Sequence, residues 1–576
     1  MKMKILGNVS KDIFQIVLRS DENGIFIYDV DFHPQTPVFP SKITVEFNLD
    51  CINAFSLWNA QCGFVRNILS DWRSNRQASL SRLACGIPIQ SIISQDGNNA
   101  FTISVTDAKT PIEISTGIEE FHKTCLCKIS FFTLPVGRVT EYKTQIIIDK
   151  RSIPFYKAIK AAAERMRTGE QYVPIDAQQP MYSTWYSFHQ ELNEKELLRE
   201  CERAYKLGMR SVIIDDGWQT DNNSGGYAYC GDWQVCESKI NNMQAFVERI
   251  HSIGMKVLLW YSVPYIGKKS KIWDRFKGKY LDSEENEWNC LDPRFPEVRE
   301  YLVGIYKKAA IEWKLDGFKL DFIDSFSITE YSDKNGIGRD FESLEDAIEC
   351  LLSDIYTGLR NINPDILLEF RQGYIGPVIT QYGNMIRVGD CALDALANRV
   401  GVLDLRMTSG KAAVHSDMIT WNDNDTNESM AKQLIAALFG VPQISVRLDK
   451  ITEEHYDVLK FWLDFWIEHR EILLDGNLKI YNSEMNYSMA RAEIKNNSVC
   501  VCYGVNIVEY HGGKLTVVNG TGEGFIPIKA NERIQYSIFD CKGMLIDDGI
   551  RSINDVTLFQ VPQSGVLKIK IEDRAY

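Results

Sequence analysis

The segment Gly317-Phe318-Lys319-Leu320-Asp321-Phe322 places a lysine and a carboxylate two residues apart within a short apolar run. Side chains two residues apart leave a β-strand on the same face. If that face lines the lumen of a closed barrel, Lys319 and Asp321 project toward one cavity. A cation there would hold the carboxylate ionised and available as a nucleophile. The alternative interpretation is a structural ion pair inside a core.

Short apolar runs of this kind recur between residues 180 and 450, with longer amphipathic stretches between them. Helices are predicted at 194–207 and 243–253, with Gly208 and Gly254 as C-caps. Strands that alternate with helices indicate repeated βα units, and eight such units predict a (β/α)8 TIM barrel. The eight predicted strands are 182–188, 211–218, 256–263, 317–323, 366–370, 385–390, 412–419 and 443–448.

Alternating runs of strand length flank the predicted barrel on both sides. Residues 1–150 favour an N-terminal β-sandwich, and 151–178 form a helical linker. The barrel is expected to occupy 179–474, and 475–576 a small C-terminal antiparallel β-sandwich. The fold class is therefore multidomain α/β, with a central (β/α)8 TIM barrel between two β-sandwiches.

Composition excludes several classes of protein. A chain of 576 residues exceeds one core, and 45% hydrophobic with 24% charged residues is typical of a soluble globular protein. With a net charge of −13 and no basic run, no nucleic-acid partner is expected. No apolar run reaches membrane-span length and the N-terminus does not match a signal peptide, so we expect no membrane association and a cytoplasmic protein. The 14 cysteines are scattered, which favours reduced thiols over zinc.

Polar or aromatic residues follow seven of the predicted strands, at the barrel end where such enzymes carry their sites. Paired carboxylates across a cavity suit glycoside hydrolysis, vicinal aspartates can accept from sugar hydroxyls, and tryptophan can stack on a ring. A divalent metal site is the alternative, but Lys319 beside Asp321 would compete with a cation. In chain order these residues are Trp185 and His189, Asp215 and Asp216, Trp260, Lys319 and Asp321, Glu369 and Arg371, Arg387 and Asp390, and His415 and Asp417.

Two motifs give the chain a family resemblance. The stretch Leu207-Gly208 followed by Ile214-Asp215-Asp216-Gly217-Trp218 resembles the second-strand sugar-binding turn of the α-galactosidases of glycoside hydrolase family 36. Lys319-Leu320-Asp321 resembles the Lys-x-Asp nucleophile motif of that family, the melibiase group, which is related to family 27. The likeness covers roughly 180–450, with flanking β-domains in the expected order, although the N-terminal domain is shorter than the family's.

The resemblance implies a retaining reaction with Asp321 as nucleophile and Asp390 as acid/base, and no cofactor. Asp394 is the competitor for the second role, with a helix N-cap as its plain interpretation. A buried acid must start protonated, so we expect apolar neighbours or the charge of Asp321 to raise the pKa of Asp390. The candidate substrate-binding residues are Asp215, Asp216, Lys319, Trp185, Arg387, Arg371, Trp260 and Glu369.

Departures from the family pattern leave the sugar open. The loop Glu369-Phe370-Arg371-Gln372-Gly373-Tyr374 stands where the family carries a Ser-Cys, glycine-rich segment, so the 2-position of the sugar is expected to be recognised differently. Arg371 could instead neutralise Glu369 beneath the pocket, and Arg387 replaces a tryptophan of the strand-six motif, which suggests a more polar leaving-group side.

The predicted function is an exo-acting hydrolase that removes a terminal α-linked galactose from a small oligosaccharide or glycoside. The alternatives are α-N-acetylgalactosaminidase, β-L-arabinopyranosidase and galactosyl transferase on the same scaffold, and a non-catalytic sugar-binding protein from a different class. A homo-oligomer is compatible with the sequence.

Overall fold

The N-terminal part of the chain folds into two antiparallel sheets in this computed structural model, which describes residues 2–10, 12–60, 63–332 and 336–571. One sheet has the order β1-β4-β11-β10-β6-β7 and the other β2-β3-β12-β9-β8-β5. Their strands are β1 (Lys4–Leu6), β2 (Phe14–Glu22), β3 (Ile25–Phe32), β4 (Ile43–Asp50), β5 (Ala54–Trp58), β6 (Ser79–Arg82), β7 (Cys85–Gly86), β8 (Ile89–Ser94), β9 (Asn99–Val105), β10 (Ile112–Glu119), β11 (Thr124–Phe131) and β12 (Tyr142–Asp149).

Alternation along these strands produces the core between the two sheets. In β4 the residues Ile43, Val45, Phe47 and Leu49 are buried, and the residues between them are more exposed. They pack in one apolar cluster with residues of the other sheet, such as Ile103 of β9. Two sheets that share one core constitute a sandwich, so this part of the predicted fold is confirmed.

Eight parallel strands form the central sheet, in the order β21-β20-β19-β18-β15-β14-β13-β22. The isolated parallel bridges His415–Val441 and Ile419–Ile444 join its two ends, so the barrel is nearly closed. The strands of this part are β13 (Met181–Ser183), β14 (Ser211–Ile214), β15 (Lys256–Ser262), β18 (Gly317–Asp321), β19 (Leu367–Arg371), β20 (Met385–Arg387), β21 (Ala413–His415) and β22 (Gln443–Ile444), with the separate pair β16 (Tyr265–Gly267) and β17 (Trp288–Cys290) after β15.

Helices connect the barrel strands, and side-chain caps define several of their ends. The Asn193 side chain accepts from two backbone N–H groups at the start of α3, and Gly254 ends α4 in the left-handed region at φ 100°. The helices are α1 (Phe155–Glu164), α2 (Trp185–Phe188), α3 (Glu194–Lys206), α4 (Met243–Ile253), α5 (Pro296–Trp313), α6 (Leu344–Arg360), α7 (Ala395–Thr408), α8 (Asn427–Ala436) and α9 (Glu453–Asp475).

Several barrel strands are shorter than predicted. The first ends at Ser183, and the rest of the predicted run forms the short helix α2. The second ends at Ile214. The next backbone N–H, that of Asp215, donates to the Thr184 hydroxyl instead of to a neighbouring strand. The sixth ends at Arg387, three residues before Asp390. The polar residues beyond the strands therefore lie on turns, where their side chains are free to meet.

The C-terminal part corrects the prediction of an antiparallel sandwich. Its eight strands belong to one hydrogen-bonded sheet, in which β25 pairs with β27 and β26 with β28 in parallel. One apolar cluster unites residues of six strands, which indicates that the sheet curls around its own core. The strands are β23 (Asn477–Tyr481), β24 (Met489–Ile494), β25 (Asn497–Cys502), β26 (Val508–Glu509), β27 (Lys514–Asn519), β28 (Ile526–Phe539), β29 (Leu545–Phe559) and β30 (Val566–Ile571).

Two further features of the described residues are the apolarity of the helices and the state of the cysteines. In the described part of the chain, none of the helices combines the length and apolarity that crossing a bilayer requires. The 13 cysteines that lie within the described ranges are all unpaired, and most of them are buried.

Candidate active site

The barrel lumen is filled in layers, to which neighbouring strands contribute side chains. A small apolar cluster closes the N-terminal end, separate from the core that the strands share with the helices. Its strand residues are Met181, Ile213, Leu258, Leu367, Met385 and Ala413. Because side chains alternate, residues two positions further along also point into the lumen. The next layer therefore contains Ser183, Asp215, Trp260, Glu369, Arg387 and His415.

Most polar groups at this level pair with one another and form the bottom of the site. We call Asp215, Lys319, Glu369, Arg387, His415 and Gln443 the floor; each is at most 5% exposed. The Lys319 ammonium lies 2.6 Å from Oδ2 of Asp215. Burial alone would lower the pKa of Lys319, but the Asp215, Asp321 and Glu369 carboxylates together outweigh it and raise that pKa. Lys319 thus keeps its positive charge inside the barrel.

Glu369 is a floor carboxyl whose pKa is raised close to neutral pH. Burial raises its pKa to about 7, and the nearby Arg387 and Lys319 cations offset only part of the effect. Gln443 donates its amide N–H to Oε2 of Glu369 and also contacts Nδ1 of His415 at 3.2 Å. Burial lowers the pKa of His415 to about 4, so this imidazole is neutral near pH 7.

Arg387 connects the floor to the strand ends. Its guanidinium lies 2.5 Å from Oδ1 of Asp417, 2.8 Å from Oδ1 of Asp390 and 3.8 Å from Oε1 of Glu369. Arg387 and Glu369 were predicted to contact substrate, but each side chain is only 1% exposed. Their polar atoms are directed at one another within the lumen.

Asp321 ends strand β18 above the floor, with its carboxylate oriented by two hydrogen-bond donors and one neighbouring cation. The Trp260 indole N–H donates to Oδ2 at 3.1 Å, and the backbone N–H of Phe322 donates to Oδ1 at 2.9 Å. Nε of Arg371 lies 2.8 Å from Oδ1. A carboxylate held at both oxygens has a fixed position, which is what in-line attack on a bound carbon requires.

The cation beside Asp321 is Arg371 rather than Lys319, which corrects the expectation from the Lys-x-Asp spacing. The Lys319 side chain extends sideways to Asp215 on the neighbouring strand β14. Arg371 does not neutralise Glu369 either. Its second carboxylate partner is Asp324, 2.8 Å from Nη2, in the turn after β18.

The turn after β14 carries Asp216, another carboxylate predicted to bind substrate. Gln190 and Gln219 each donate an amide N–H to Asp216 at 2.7 Å, one to each oxygen. Burial raises the pKa of Asp216, and the neighbouring Asp215 adds to that effect. Gly217 follows at φ 110°, and a Cβ there would lie 2.6 Å from Cα of Gln190. The tight turn therefore requires glycine at that position.

Asp390 lies beyond strand β20 at the open side of the site. Its side chain is 57% exposed. Burial would raise its pKa, but the Arg387, Lys319 and Arg371 cations outweigh burial and lower it, so the predicted raised pKa is wrong. Its competitor Asp394 accepts from the Ala397 N–H at the N-terminus of α7. We call Asp216, Asp321, Arg371 and Asp390 the rim.

Aromatic rings border the rim on one side. Tyr227 stacks on Tyr265 with ring centroids 5.1 Å apart, and it meets Phe322 edge-on at 5.0 Å. Burial raises the pKa of Tyr227, with Asp216 and Asp321 as the next causes, which puts the phenol near both carboxylates. Trp260, predicted as a substrate contact, is 1% exposed, and its indole N–H donates to Asp321. Trp185 is half-buried after β13, against His189.

A comparison with known families matches the melibiase family to residues 155–476, which contain every barrel strand and the whole floor and rim. The chain belongs to the melibiase family. Among curated relatives of this melibiase, α-galactosidase Mel36A of Lactobacillus acidophilus is 26% identical over 260 residues, 42% of this chain. The aligned segment spans 33% of Mel36A, so the chain matches only about a third of that relative's length.

Solved structures share the fold of this melibiase. The α-galactosidase from Lactobacillus brevis superposes with a TM-score of 0.64 at 13% identity, covering 100% of this chain and 86% of the other. A variant of the GH36 α-galactosidase AgaA from Geobacillus stearothermophilus, in complex with raffinose, gives 0.64 at 11% identity, covering 95% and 80%. These likenesses extend from the barrel into the flanking β-structure.

Three residues of the candidate site, Asp324, Gln443 and Gln190, were not singled out from the sequence, and a fourth had no role assigned. Asp417 was noted at a strand end without a role, yet it accepts from the Tyr186 hydroxyl at 3.0 Å as well as pairing with Arg387. Asp324 and Gln443 could have been found as polar residues beside predicted strands. Gln190 follows a short helix that the sequence does not indicate, so no local signal marks it.

Proposed function

We propose that this melibiase is an α-galactosidase that removes a terminal α-linked galactosyl residue with net retention. The observation that carries the proposal is the environment of Asp321, held by an indole, a backbone N–H and a guanidinium at the C-terminal end of a barrel strand. Related enzymes with this fold include α-galactosidases, one of which was crystallised with raffinose.

In the first step, a carboxylate oxygen of Asp321 attacks the anomeric carbon as the bond from that carbon to the leaving oxygen breaks. Asp390 gives its proton to that oxygen, and a glycosyl ester forms on Asp321. In the second step Asp390 removes a proton from water, and the water oxygen displaces the carboxylate. Two inversions give retention, and the enzyme returns to its starting protonation state.

The remaining roles follow from the positions of the other polar groups. Asp216, with Asp215 and Lys319 beneath it, is suited to receive and orient ring hydroxyls, because charged partners make the stronger hydrogen bonds. Trp185 and Tyr227 offer apolar faces near the entrance. The substrate is therefore a small oligosaccharide or glycoside that enters with its terminal ring first.

The low pKa of Asp390 in the free protein has a kinetic consequence. At pH 7 only a small fraction of molecules carries the proton that the first step needs, and each pH unit lowers that fraction about tenfold. We expect kcat/KM for substrates with poor leaving groups to be highest at mildly acidic pH. Arylglycosides with good leaving groups need little proton transfer and should depend less on pH.

The test uses aryl α-galactosides, α-N-acetylgalactosaminides and β-L-arabinopyranosides with wild type, Asp321→Ala and Asp390→Ala, each with and without azide. Azide fills the space of a missing nucleophile and gives a β-glycosyl azide, whereas with the acid/base variant it intercepts the glycosyl ester and gives the α-azide. Asp394→Asn, four residues from Asp390 and retaining a helix cap, is the control and should keep wild-type activity.

The same panel decides the sugar. Cleavage of α-galactosides ahead of α-N-acetylgalactosaminides and β-L-arabinopyranosides supports the proposal, and the reverse preference would replace galactose with the better substrate. If Asp321→Ala retained activity without azide, the mechanism would be wrong.

A further inference from the structure

One hairpin of the N-terminal sandwich packs against the catalytic side of the barrel. Strands β6 and β7 pair antiparallel, with Arg82 opposite Cys85, and the tip residues Leu83 and Ala84 are fully buried in the core cluster of the barrel. A Cβ on Gly376, in the loop after β19, would lie 3.2 Å from the carbonyl oxygen of Gly86. The hairpin is thus packed against the segment that follows Arg371.

The turn that follows Asp321 has an unfavourable backbone conformation. Phe322 lies in the left-handed region at φ 64° and ψ 19°, which costs energy for a residue with a bulky side chain. This conformation directs the Phe322 N–H to Oδ1 of Asp321. Such a turn persists only where neighbouring groups hold it, so the position of the Asp321 carboxylate depends on those groups.

Arg82 is the group from outside the barrel that holds this turn. Its Nη2 donates to the carbonyl oxygen of Asp324 at 2.7 Å, and its Nη1 to that of Phe326 at 2.7 Å. The Asp324 side chain contacts Arg371, whose Nε in turn lies 2.8 Å from Asp321. One guanidinium therefore fixes both the backbone of the turn and the carboxylate that positions the Arg371 cation.

The side chain of Arg82 is itself fixed. It is 12% exposed, and Nη1 also lies 3.4 Å from Oε1 of Glu345 on α6, a side chain that is 6% exposed. The planar guanidinium of Arg82 contacts two carbonyl oxygens and one carboxylate. A lysine ammonium could not reproduce this geometry. The contact is therefore specific for arginine.

We infer that Arg82 is a positioning residue for the nucleophile, through which the N-terminal sandwich completes the active site of the barrel. The inference rests on the proposed role of Asp321. It goes beyond an ordinary contact between two structural units, because another arginine of the sandwich makes such a contact without touching the turn. Nε of Arg138 donates to Oε1 of Glu342 at 2.8 Å on the exposed surface.

The experiment compares Arg82→Ala and Arg82→Lys with Arg138→Ala as the matched control. We expect Arg82→Ala to lower kcat on an aryl α-galactoside by about 10²-fold, the loss that a displaced reacting group produces, with KM changed less than about threefold. Arg82→Lys should recover little of the loss, and Arg138→Ala should match wild type. Millimolar guanidinium, which fits the space left by the side chain, should raise kcat of Arg82→Ala only.

Hydrogen exchange separates this inference from the proposed function. Backbone amides of 322–326 should exchange faster in Arg82→Ala and Arg82→Lys than in wild type or Arg138→Ala, whether or not a substrate is known. If wild type cleaves none of the glycosides, the proposed function is wrong, and hydrogen exchange alone tests the role of Arg82. If exchange in 322–326 is unchanged, or kcat of both soluble Arg82 variants matches wild type, Arg82 is not a positioning residue. Arg82→Lys serves if Arg82→Ala does not fold.

Discussion

The floor and the rim of the barrel contain the same kinds of residue and differ in how completely those residues are paired. On the floor, Lys319 meets Asp215, and the Glu369 carboxylate is enclosed by Gln443 and Arg387. On the rim, Asp321 is held by donors at both oxygens yet remains at the open end of the lumen. The comparison indicates that stability is concentrated in the lower layer and chemistry in the upper one, and that the Lys319-Leu320-Asp321 motif spans both.

The largest expected effect is the loss of activity when the rim residue Asp321 is replaced. Asp321→Asn keeps the shape of the side chain but removes the nucleophile, so kcat on an aryl α-galactoside should fall by more than about 10⁴-fold. The unfolding free energy should change far less, because Arg371 retains Asp324. Steady-state kinetics and urea unfolding of the same preparation measure both quantities. A loss of stability that matches the loss of activity would remove the distinction between the layers.

The next effect is on floor stability. Lys319→Met leaves Asp215 buried without its cation, which should lower the unfolding free energy by about 3–5 kcal/mol. The double variant Asp215→Asn with Lys319→Met should recover part of that loss, because no isolated charge remains. Urea unfolding of Lys319→Met, Asp215→Asn and the double variant is the measurement. Additive losses in the double variant would mean that the pair is not coupled.

A smaller effect is expected at the other rim carboxylate. Asp390→Asn should lower kcat/KM by about 10²-fold or more for an oligosaccharide, and by much less for an aryl glycoside whose leaving group needs no proton. The ratio of the two losses is the measured quantity. Equal losses for both substrates would assign Asp390 a binding role instead of proton transfer.

The smallest effect is a pH dependence of stability. The pKa of Glu369 is raised to about 7, whereas the unfolded carboxyl titrates near 4.5. The native state binds more protons between these values, so stability falls as pH rises from about 4.5 to about 7 and then levels off. Glu369→Gln removes this dependence and should be about 1–3 kcal/mol more stable than wild type at pH 8, and equal at pH 5. Thermal unfolding at both pH values tests it.

The contribution of Asp390 to the pH dependence of stability has the opposite sign to that of Glu369. The pKa of Asp390 is lowered, so its small contribution to stability is present above its ordinary pKa and lost as pH falls below it. Asp390→Asn should therefore match wild type more closely at pH 3 than at pH 7. A difference between the two proteins that grew on acidification would contradict the ion pair with Arg387.

The sequence predicted the barrel because its strands and helices have distinct periods, and it located Asp321 and the Asp215-Asp216 turn because both follow short apolar runs. It could not predict which cation would reach which carboxylate. Lys319 and Arg371 pair with carboxylates other than the expected ones, because side chains pair across strands at distances that depend on barrel geometry rather than on spacing along one strand. The lowered pKa of Asp390 was missed for the same reason.

The C-terminal sheet illustrates a second limit. Alternation of buried and exposed residues predicts where strands lie but not which strands pair. The parallel pairing of β25 with β27 depends on contacts between segments that are not adjacent in the sequence. Arg82 is a more distant case. The hairpin that carries it lies more than 200 residues from the turn it contacts, and no local pattern links the two.

Covalent labelling tests the central claim most directly. A fluorosugar of the galacto configuration that forms a slowly hydrolysed glycosyl ester should inactivate the protein, and peptide mass spectrometry should find one added sugar on Asp321. Asp321→Asn should remain unlabelled, and Asp394→Asn should be labelled like wild type. A sugar on another carboxylate of the site, or turnover that continues without any covalent adduct, would contradict the assignment of Asp321 as the nucleophile of a retaining glycosidase.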